Sequence, residues 1–330
     1  SAASDVYKRQ IIDGAVAIHG DRVVHVGKRR WVLKALKQEM TAHGTIHERH
    51  WDGVLTPGLI NAHTHLQYSG MVQVGQGTYD RFRAWELAFN EVYAEAQKTQ
   101  PWKQWAEDGA RQMVESGTTA AADIVTDLDA AGALASQGMH GIAYWEVMGW
   151  HNAEWMEKGR TELIRQLRRM NEEQLPNLGI SPHAPYTLES EPFVDLPDIA
   201  RQLNMRLHIH LAETPLEAGT YPPVLTTYSA ADWSDHDWES YRQLKEVGKG
   251  ASAIQFVDQL GSLGPDVHIA HGVWANGEDR RILRQRGVGV ALCPRSNRIT
   301  NTGKDAPVRE YLEEGNLVSV GTDSLYSTPT

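Results

Sequence analysis

The sequence has one cysteine, Cys293, so no disulfide can form within the chain. It has no apolar run near the roughly 18 residues of a membrane-spanning helix. Basic residues are outnumbered, 32 Lys and Arg against 42 Asp and Glu, and the net charge of −10 argues against a nucleic-acid partner or an anionic membrane. No secretory signal is visible. These absences together favour the cytoplasm. What is present is ordinary for a globular protein: 41% apolar and 22% charged residues in 330, enough for a barrel-sized core with a small appendage.

Residues Ser1–Gln10, SAASDVYKRQ, do not fit the pattern of the chain after them. Asp5–Gln10 looks like a translated sequencing adapter, and the ten residues are read as a non-native leader outside the fold. From Ile11 to Gly27, two short β-rich runs, Ala15–Ile18 and Arg22–Val26, flank Gly20-Asp21, which is a hairpin signal. Thr45–Val54 leads back toward the larger part of the chain. A few strands do not make a stable unit and need partners.

From Gly58 onward, β-like runs alternate with helical stretches. The runs are Leu59–His63, Thr119–Ile124, Gly141–Val147, Leu178–His183, Arg206–Leu211, Val267–His271, Gly289–Cys293 and Leu317–Gly321. Helical stretches include Arg81–Ala96, Trp105–Glu115, Met156–Asn171, Asp279–Arg286 and Ala306–Glu314. Such alternation gives βα units and a parallel sheet. Eight units closing on themselves make an α/β TIM (β/α)8 barrel over residues 58–330. An open doubly wound sheet predicts a Gly-rich phosphate turn after the first strand; here that position is His63-Thr64-His65.

A barrel puts its chemistry at the C-terminal ends of its strands. His63 and His65, two apart, project together from the end of the first strand. The fourth ends in SPHAPYT, with His183. The fifth, RLHIHLAET, carries His208, His210 and then Glu213. The sixth, HIAHG, ends at His271, the seventh in CPRSN, and the eighth, VSVGTDS, at Asp323. Histidine and carboxylate at five of eight strand ends are the makings of a metal and acid–base site. The irregular stretch Thr214–Trp238 after the fifth strand reads as either a lid or a flexible insertion. Trp85, Phe89 and Tyr93, at i, i+4 and i+8, read as a core stripe rather than a ligand platform.

PGLINAHTHL, SPHAPYT, HLAET, AHGVW and GTDS, in that order, resemble the deaminase and chlorohydrolase branch of the amidohydrolase superfamily. The resemblance covers nearly the whole chain from residue 11. It is strongest to the group of S-adenosylhomocysteine, methylthioadenosine and aminodeoxyfutalosine deaminases, and CPRSN leans toward the last. It implies that His63, His65, His210 and Asp323 hold a metal, that Glu213 shuttles protons, that His271 contacts the attacking water and that His183 contacts substrate. His208 matches no such role and reads as a packed or supporting imidazole. Relatives with two metals bridge them through a lysine at the fourth strand, which is absent here, so one ion is expected. Three imidazoles and a carboxylate suit Zn2+, and Fe2+ or Mn2+ fit the same ligands. In the family, residues 11–57 would begin a small β-sandwich completed by a C-terminal segment. With Asp323 seven residues from the end, the chain reads as truncated, lacking its last helix, with apolar surface exposed beside the first and last barrel strands. Homo-oligomers are common in the family, but no interface is legible in this chain.

These residue types allow a definite chemistry. A bound divalent metal brings the pKa of its water near 7, and Asp323 and His271 are placed to orient that water for attack on an electron-poor ring carbon. Addition needs a proton on the ring nitrogen and elimination one on the departing amine; Glu213 is placed to carry both. The expected activity is hydrolytic deamination of a small purine-type base or nucleoside. A chlorohydrolase, a cyclic amidine or guanine-type hydrolase, and an inactive fragment are the alternatives. Arg81, Arg83, Arg295 and Arg298 lie after the first and seventh strands, and Arg295 is assigned to a substrate carboxylate.

Overall fold

The computed structural model describes residues 10–39, 44–172, 175, 177–219, 244 and 247–328. The chain divides into two compact units, Ser1–Thr56 and Pro57–Thr330. Ser1–Arg9 of the expected leader, and the part of Thr214–Trp238 beyond residue 219, lie outside the described residues.

In the first unit, β1 (Gly14–His19) pairs antiparallel with β2 (Arg22–Lys28), with a bulge between Ala17 and Ile18. Gly20 makes the turn at φ +61°, a conformation that favours glycine. Helix α1 (Arg29–Glu39) comes directly after β2, an element the sequence reading did not assign. Its Leu, Lys, Ala and Gln are good helix formers, but Val32 is its one buried residue. Residues 44–56 carry no regular structure.

The second unit is a barrel. Its strands are β3 (Leu59–Thr64), β4 (Thr118–Val125), β5 (His140–Val147), β6 (Leu178–Pro182), β7 (Arg206–Leu211), β8 (Val267–His271), β9 (Gly289–Leu292) and β10 (Leu317–Val320). Each matches its expected run to within one residue at either end. Sheet order matches chain order and every neighbouring pair is parallel. The seam closes between the first and last strands. Thr64 and Asp323 form a parallel bridge, the Asp323 N–H donates to the His63 carbonyl at 2.9 Å, and the Asn61 side chain both donates to Thr322 Oγ1 at 2.7 Å and accepts from its N–H at 3.0 Å. Gly321 sits at this seam. A Cβ there would lie 2.8 Å from His63 Cβ and 3.0 Å from Cys293 Sγ, so a larger residue would displace His63.

Between the strands run α2 (Phe82–Ala96), α3 (Trp102–Glu115), α4 (Arg160–Glu172), α5 (Ser190–Gln202), α6 (Ala253–Gln259), α7 (Gly277–Arg286), α8 (Pro294–Ile299) and α9 (Val308–Glu313). A π-helical turn, Trp155–Gly159, precedes α4 where the pattern alone reads a continuous helix from Met156. Asn276 and Asp279 form a capping box that starts α7, and Gly287 ends it at φ +72°. Ile180, Leu207, Ile209, Ile269 and Val290 are fully buried, each stabilising the barrel by roughly 1.5–3 kcal/mol. Leu59, Ile60, Leu317 and Val320, on the first and last barrel strands, are each more than 60% exposed. No helix among the described residues is long and apolar enough to cross a membrane.

Candidate metal and active site

The ends of β3, β7 and β10 bring four side chains together. His65 Nε2 lies 3.3 Å from His210 Nε2 and 3.5 Å from Asp323 Oδ1, and His63 Nε2 lies 3.5 Å from the same oxygen. A tetrahedral ion with bonds near 2.1 Å needs ligand atoms about 3.4 Å apart. His63 Nε2 is buried with no hydrogen-bond partner among the described residues. Burial pushes the imidazole of His65 down to about 3 and those of His63 and His210 also below their ordinary value, so all three rings are neutral and carry a lone pair. Burial alone would raise the Asp323 carboxyl, but the surrounding His63, His65 and His271 hold it below its ordinary value. The donor set fits one divalent cation.

Asp323 is held from its other side. Ser296 Oγ donates to Oδ2 at 2.6 Å, Ser327 Oγ to Oδ2 at 3.1 Å, and Tyr326 Oη to Oδ1 at 3.3 Å. Asn297 Oδ1 lies 3.0 Å from His271 Nδ1, so that nitrogen carries a proton and Nε2 faces Glu213 Oε1 at 3.5 Å. The CPRSN stretch therefore supplies the orienting partners of both Asp323 and His271. Burial opposes protonation of His271, but Glu213 and Asp323 hold its imidazole above the ordinary value. Burial raises the Glu213 carboxyl. Tyr186 Oη donates to Glu213 Oε2 at 3.0 Å.

Glu217 holds the turn that presents Glu213. Its carboxylate accepts the backbone N–H groups of Ala212, Glu213 and Thr214 at 2.8, 2.8 and 2.9 Å. The sequence reading passed over Glu217, although Thr214-Pro215-Leu216-Glu217 carries a legible capping-box signature. Ala212, His271 and Asp323 adopt positive φ, 53°, 73° and 62°, a region costly for residues with a Cβ.

A cavity of about 600 Å³ opens onto this cluster. His183 lines it; the Thr187 hydroxyl donates to the Ala184 carbonyl, so His183 Nδ1 donates to Thr187 Oγ1 at 2.7 Å and its Nε2 is left for a ligand. Trp85, Phe89 and Tyr93, expected to be core, also form a wall of the cavity, with ring centroids 5.8 and 5.7 Å apart along the stripe. Glu146, at the end of β5, is a further wall residue that the sequence reading missed. Its Oε1 is buried without a hydrogen-bond partner among the described residues, 3.8 Å from His210 Nδ1, and burial pushes its carboxyl up to about 8.

Arg295 requires a correction: it is exposed and forms no part of the cavity wall. On the short helix α8, Ser296 and Asn297 turn inward while Arg295 and Arg298, three apart, share the outer face. Arg298 pairs with Asp305 at 3.2 Å and Arg83 with Glu86 at 2.8 Å. The arginine that does line the cavity is Arg165 of α4, beside Glu162 and Gln166.

Asp123, two residues before the end of β4, does not line the cavity; its Oδ1 accepts the Leu66 N–H at 2.9 Å and its Oδ2 is unpartnered among the described residues. Burial pushes this carboxyl up to about 8 from 3.8. A raised acid stabilises the fold below its unfolded value, and that stability is lost as pH rises through about 8. Asp123→Asn removes the titration. The difference in melting temperature between variant and wild type should therefore move in the variant's favour from pH 5 to pH 9; a difference independent of pH would refute this.

The chain matches the family described as "Amidohydrolase family" over residues 54–221 and 225–329. It is 29% identical over 323 residues to the 5-methylthioadenosine/S-adenosylhomocysteine deaminase of Thermococcus kodakarensis, covering 96% of this chain and 67% of that protein. It is 30% identical over 327 residues to 5-methylthioadenosine/S-adenosylhomocysteine deaminase 2 of Archaeoglobus fulgidus, covering 96% and 68%. It thus spans about two thirds of these relatives' length. A variant of the atrazine chlorohydrolase of Arthrobacter aurescens, solved with zinc and atraton, shares the fold at a TM-score of 0.74 and 20% identity, covering 98% of this chain and 70% of that one. The chain belongs to the amidohydrolase family, and is accordingly a hydrolase acting on carbon–nitrogen bonds.

Proposed function

We propose that this chain carries the site of a zinc-dependent hydrolytic deaminase acting on an adenine-type base or nucleoside. One observation carries the reading: three neutral imidazoles and the Asp323 carboxylate converge beside Glu213 and His271, at the floor of an aromatic-walled cavity. His63, His65, His210 and Asp323 would hold the ion. When bound, zinc supplies the Lewis acidity that makes water a nucleophile at neutral pH. His271, its Nδ1 fixed by Asn297, orients that water through Nε2 and takes up its proton. Glu213, with Oε2 fixed by Tyr186 and a carboxyl raised by burial, gives its proton to the ring nitrogen, regains one from the hydroxyl added to the ring carbon, and passes that to the leaving amine. Trp85, Phe89 and Tyr93 offer flat faces to a planar base, and His183 Nε2 meets its edge. A carboxylate on the substrate would be met by Arg165.

The names of the deaminase relatives support the adenine-type assignment. Within this reading, residues 11–57 belong to a small β-sandwich, residues 58–330 are the hydrolase barrel, and the buried lone cysteine suits the reducing cytoplasm.

The test is ammonia release by the zinc-loaded protein from adenosine, methylthioadenosine, S-adenosylhomocysteine, aminodeoxyfutalosine, guanine and cytosine. Release is expected from the adenine-type compounds only. Arg165→Ala should raise KM for the two carboxylate-bearing compounds and leave adenosine unchanged. Chloride release from a chlorotriazine with no ammonia from any adenine compound would replace this reading by its chlorohydrolase alternative. No release of either from zinc-bound protein would mark an inactive chain.

A further inference from the structure

His208 lines no part of the cavity and belongs to none of the metal-capable clusters, yet its ring is fully buried. It shares one side of β7 with His210, two residues on, and both of its ring nitrogens have polar partners. His208 Nδ1 lies 3.1 Å from the backbone carbonyl of His268, its register partner on β8. His208 Nε2 lies 2.7 Å from His63 Nδ1.

We propose that His208 is a positioning residue that fixes the tautomer of His63, leaving the Nε2 lone pair of His63 free for the metal. The direction of the chain of hydrogen bonds is set by its fixed end. A carbonyl oxygen only accepts, so His208 Nδ1 carries the proton. In a neutral ring Nε2 is then an acceptor, and His63 Nδ1 must donate to it. That leaves His63 Nε2 without a proton, at the atom that has no hydrogen-bond partner among the described residues and faces Asp323 at 3.5 Å. Two neutral imidazoles thus carry the polarity of one sheet carbonyl to the site. Were His63 in the other tautomer, its Nδ1 and His208 Nε2 would set two lone pairs against each other at 2.7 Å. Hydrogen bonds behind metal-binding imidazoles commonly hold tautomer and ring orientation in this way.

The inference rests on the metal reading of the site, and its test separates the two. In the metal-free wild type with nitrogen-15-labelled histidine, His63 should give the resonance pattern of an Nδ1-protonated ring. Zinc affinity is then measured by chelator competition in two variants. Gln at 208 offers an oxygen near the position of Nε2, whereas Leu offers no acceptor. His208→Gln should bind zinc within a few-fold of wild type and His208→Leu about 10–100-fold more weakly. Leu and Gln variants with equal affinity, both folded when metal-free, would overturn the proposal. So would an Nε2-protonated His63, a result that stands even if the Leu variant fails to fold. Failure of the wild type to bind zinc would instead overturn the metal reading, and this inference with it.

Discussion

Glu213→Gln is expected to lower kcat by about 10²–10⁴-fold, the usual contribution of a positioned general acid–base group, while zinc content and melting temperature stay near wild type. The substitution is nearly isosteric. The amide oxygen can still accept from Tyr186 Oη, and the turn is held by Glu217 through backbone N–H groups, which do not depend on the side chain at 213. What is lost is a proton that can be given and regained at one atom beside His271. Because both addition and elimination need that proton, the loss should appear in kcat and kcat/KM together rather than in KM. Steady-state kinetics on the most active compound decide it. A kcat within a few-fold of wild type, with zinc bound, would remove Glu213 from the mechanism.

His65→Ala should abolish turnover and high-affinity zinc binding together, and chelation of the wild type should do the same reversibly. His65 Nε2 lies 3.3 Å from His210 Nε2 and 3.5 Å from Asp323 Oδ1, so its removal opens the centre of the ligand set. The same substitution strips a neutral partner from the buried Asp323 carboxylate, and leaving a buried charge less compensated is costly. Metal binding also stabilises the native state by about 4 kcal/mol at a thousandfold excess over Kd. The rise in melting temperature that zinc is expected to give the wild type should therefore be absent in the variant. Activity persisting after demonstrated removal of the metal would sink the proposal for both residue and ion.

The barrel was legible in the sequence because its strands are short, apolar and regularly spaced, and because the rule that places chemistry at strand ends picked out His63, His65, His183, His210, Glu213, His271 and Asp323. The structure gathers all seven, six of them lining one cavity and His63 clustered with His65, His210, His271 and Asp323. Other parts were hidden for physical reasons. Glu146 is one carboxylate in an apolar strand, and nothing nearby in the chain says that its oxygen lacks a partner. Ser296 and Asn297 act on the ends of the two neighbouring strands, residues 27 and 26 positions distant, contacts that no local pattern records. A position after a strand marks Arg295 as a candidate, but the helical turn there decides which side chains are buried: Ser296 and Asn297 are, and Arg295 is exposed. Helix α1 has an apolar face of Val32, Leu33 and Leu36, but it is short and follows β2 directly, with no turn or cap signal to mark its start.

The left-handed turns at Ala212, His271 and Asp323 place the reactive groups where an isolated chain would rarely hold them. Conformations of this kind cost of order 1–3 kcal/mol each, and backbone hydrogen bonds hold them here: the Ala212 N–H to Glu217, the Gly272 N–H to the Leu211 carbonyl and the Asp323 N–H to the His63 carbonyl. The barrel is therefore a mould, and the catalytic arrangement is its imprint rather than a preference of the residues that form it. An imprint can soften while the mould stands. Relaxation at these three turns would shift the candidate site's side chains with every strand still paired, so loss of activity is expected to precede unfolding.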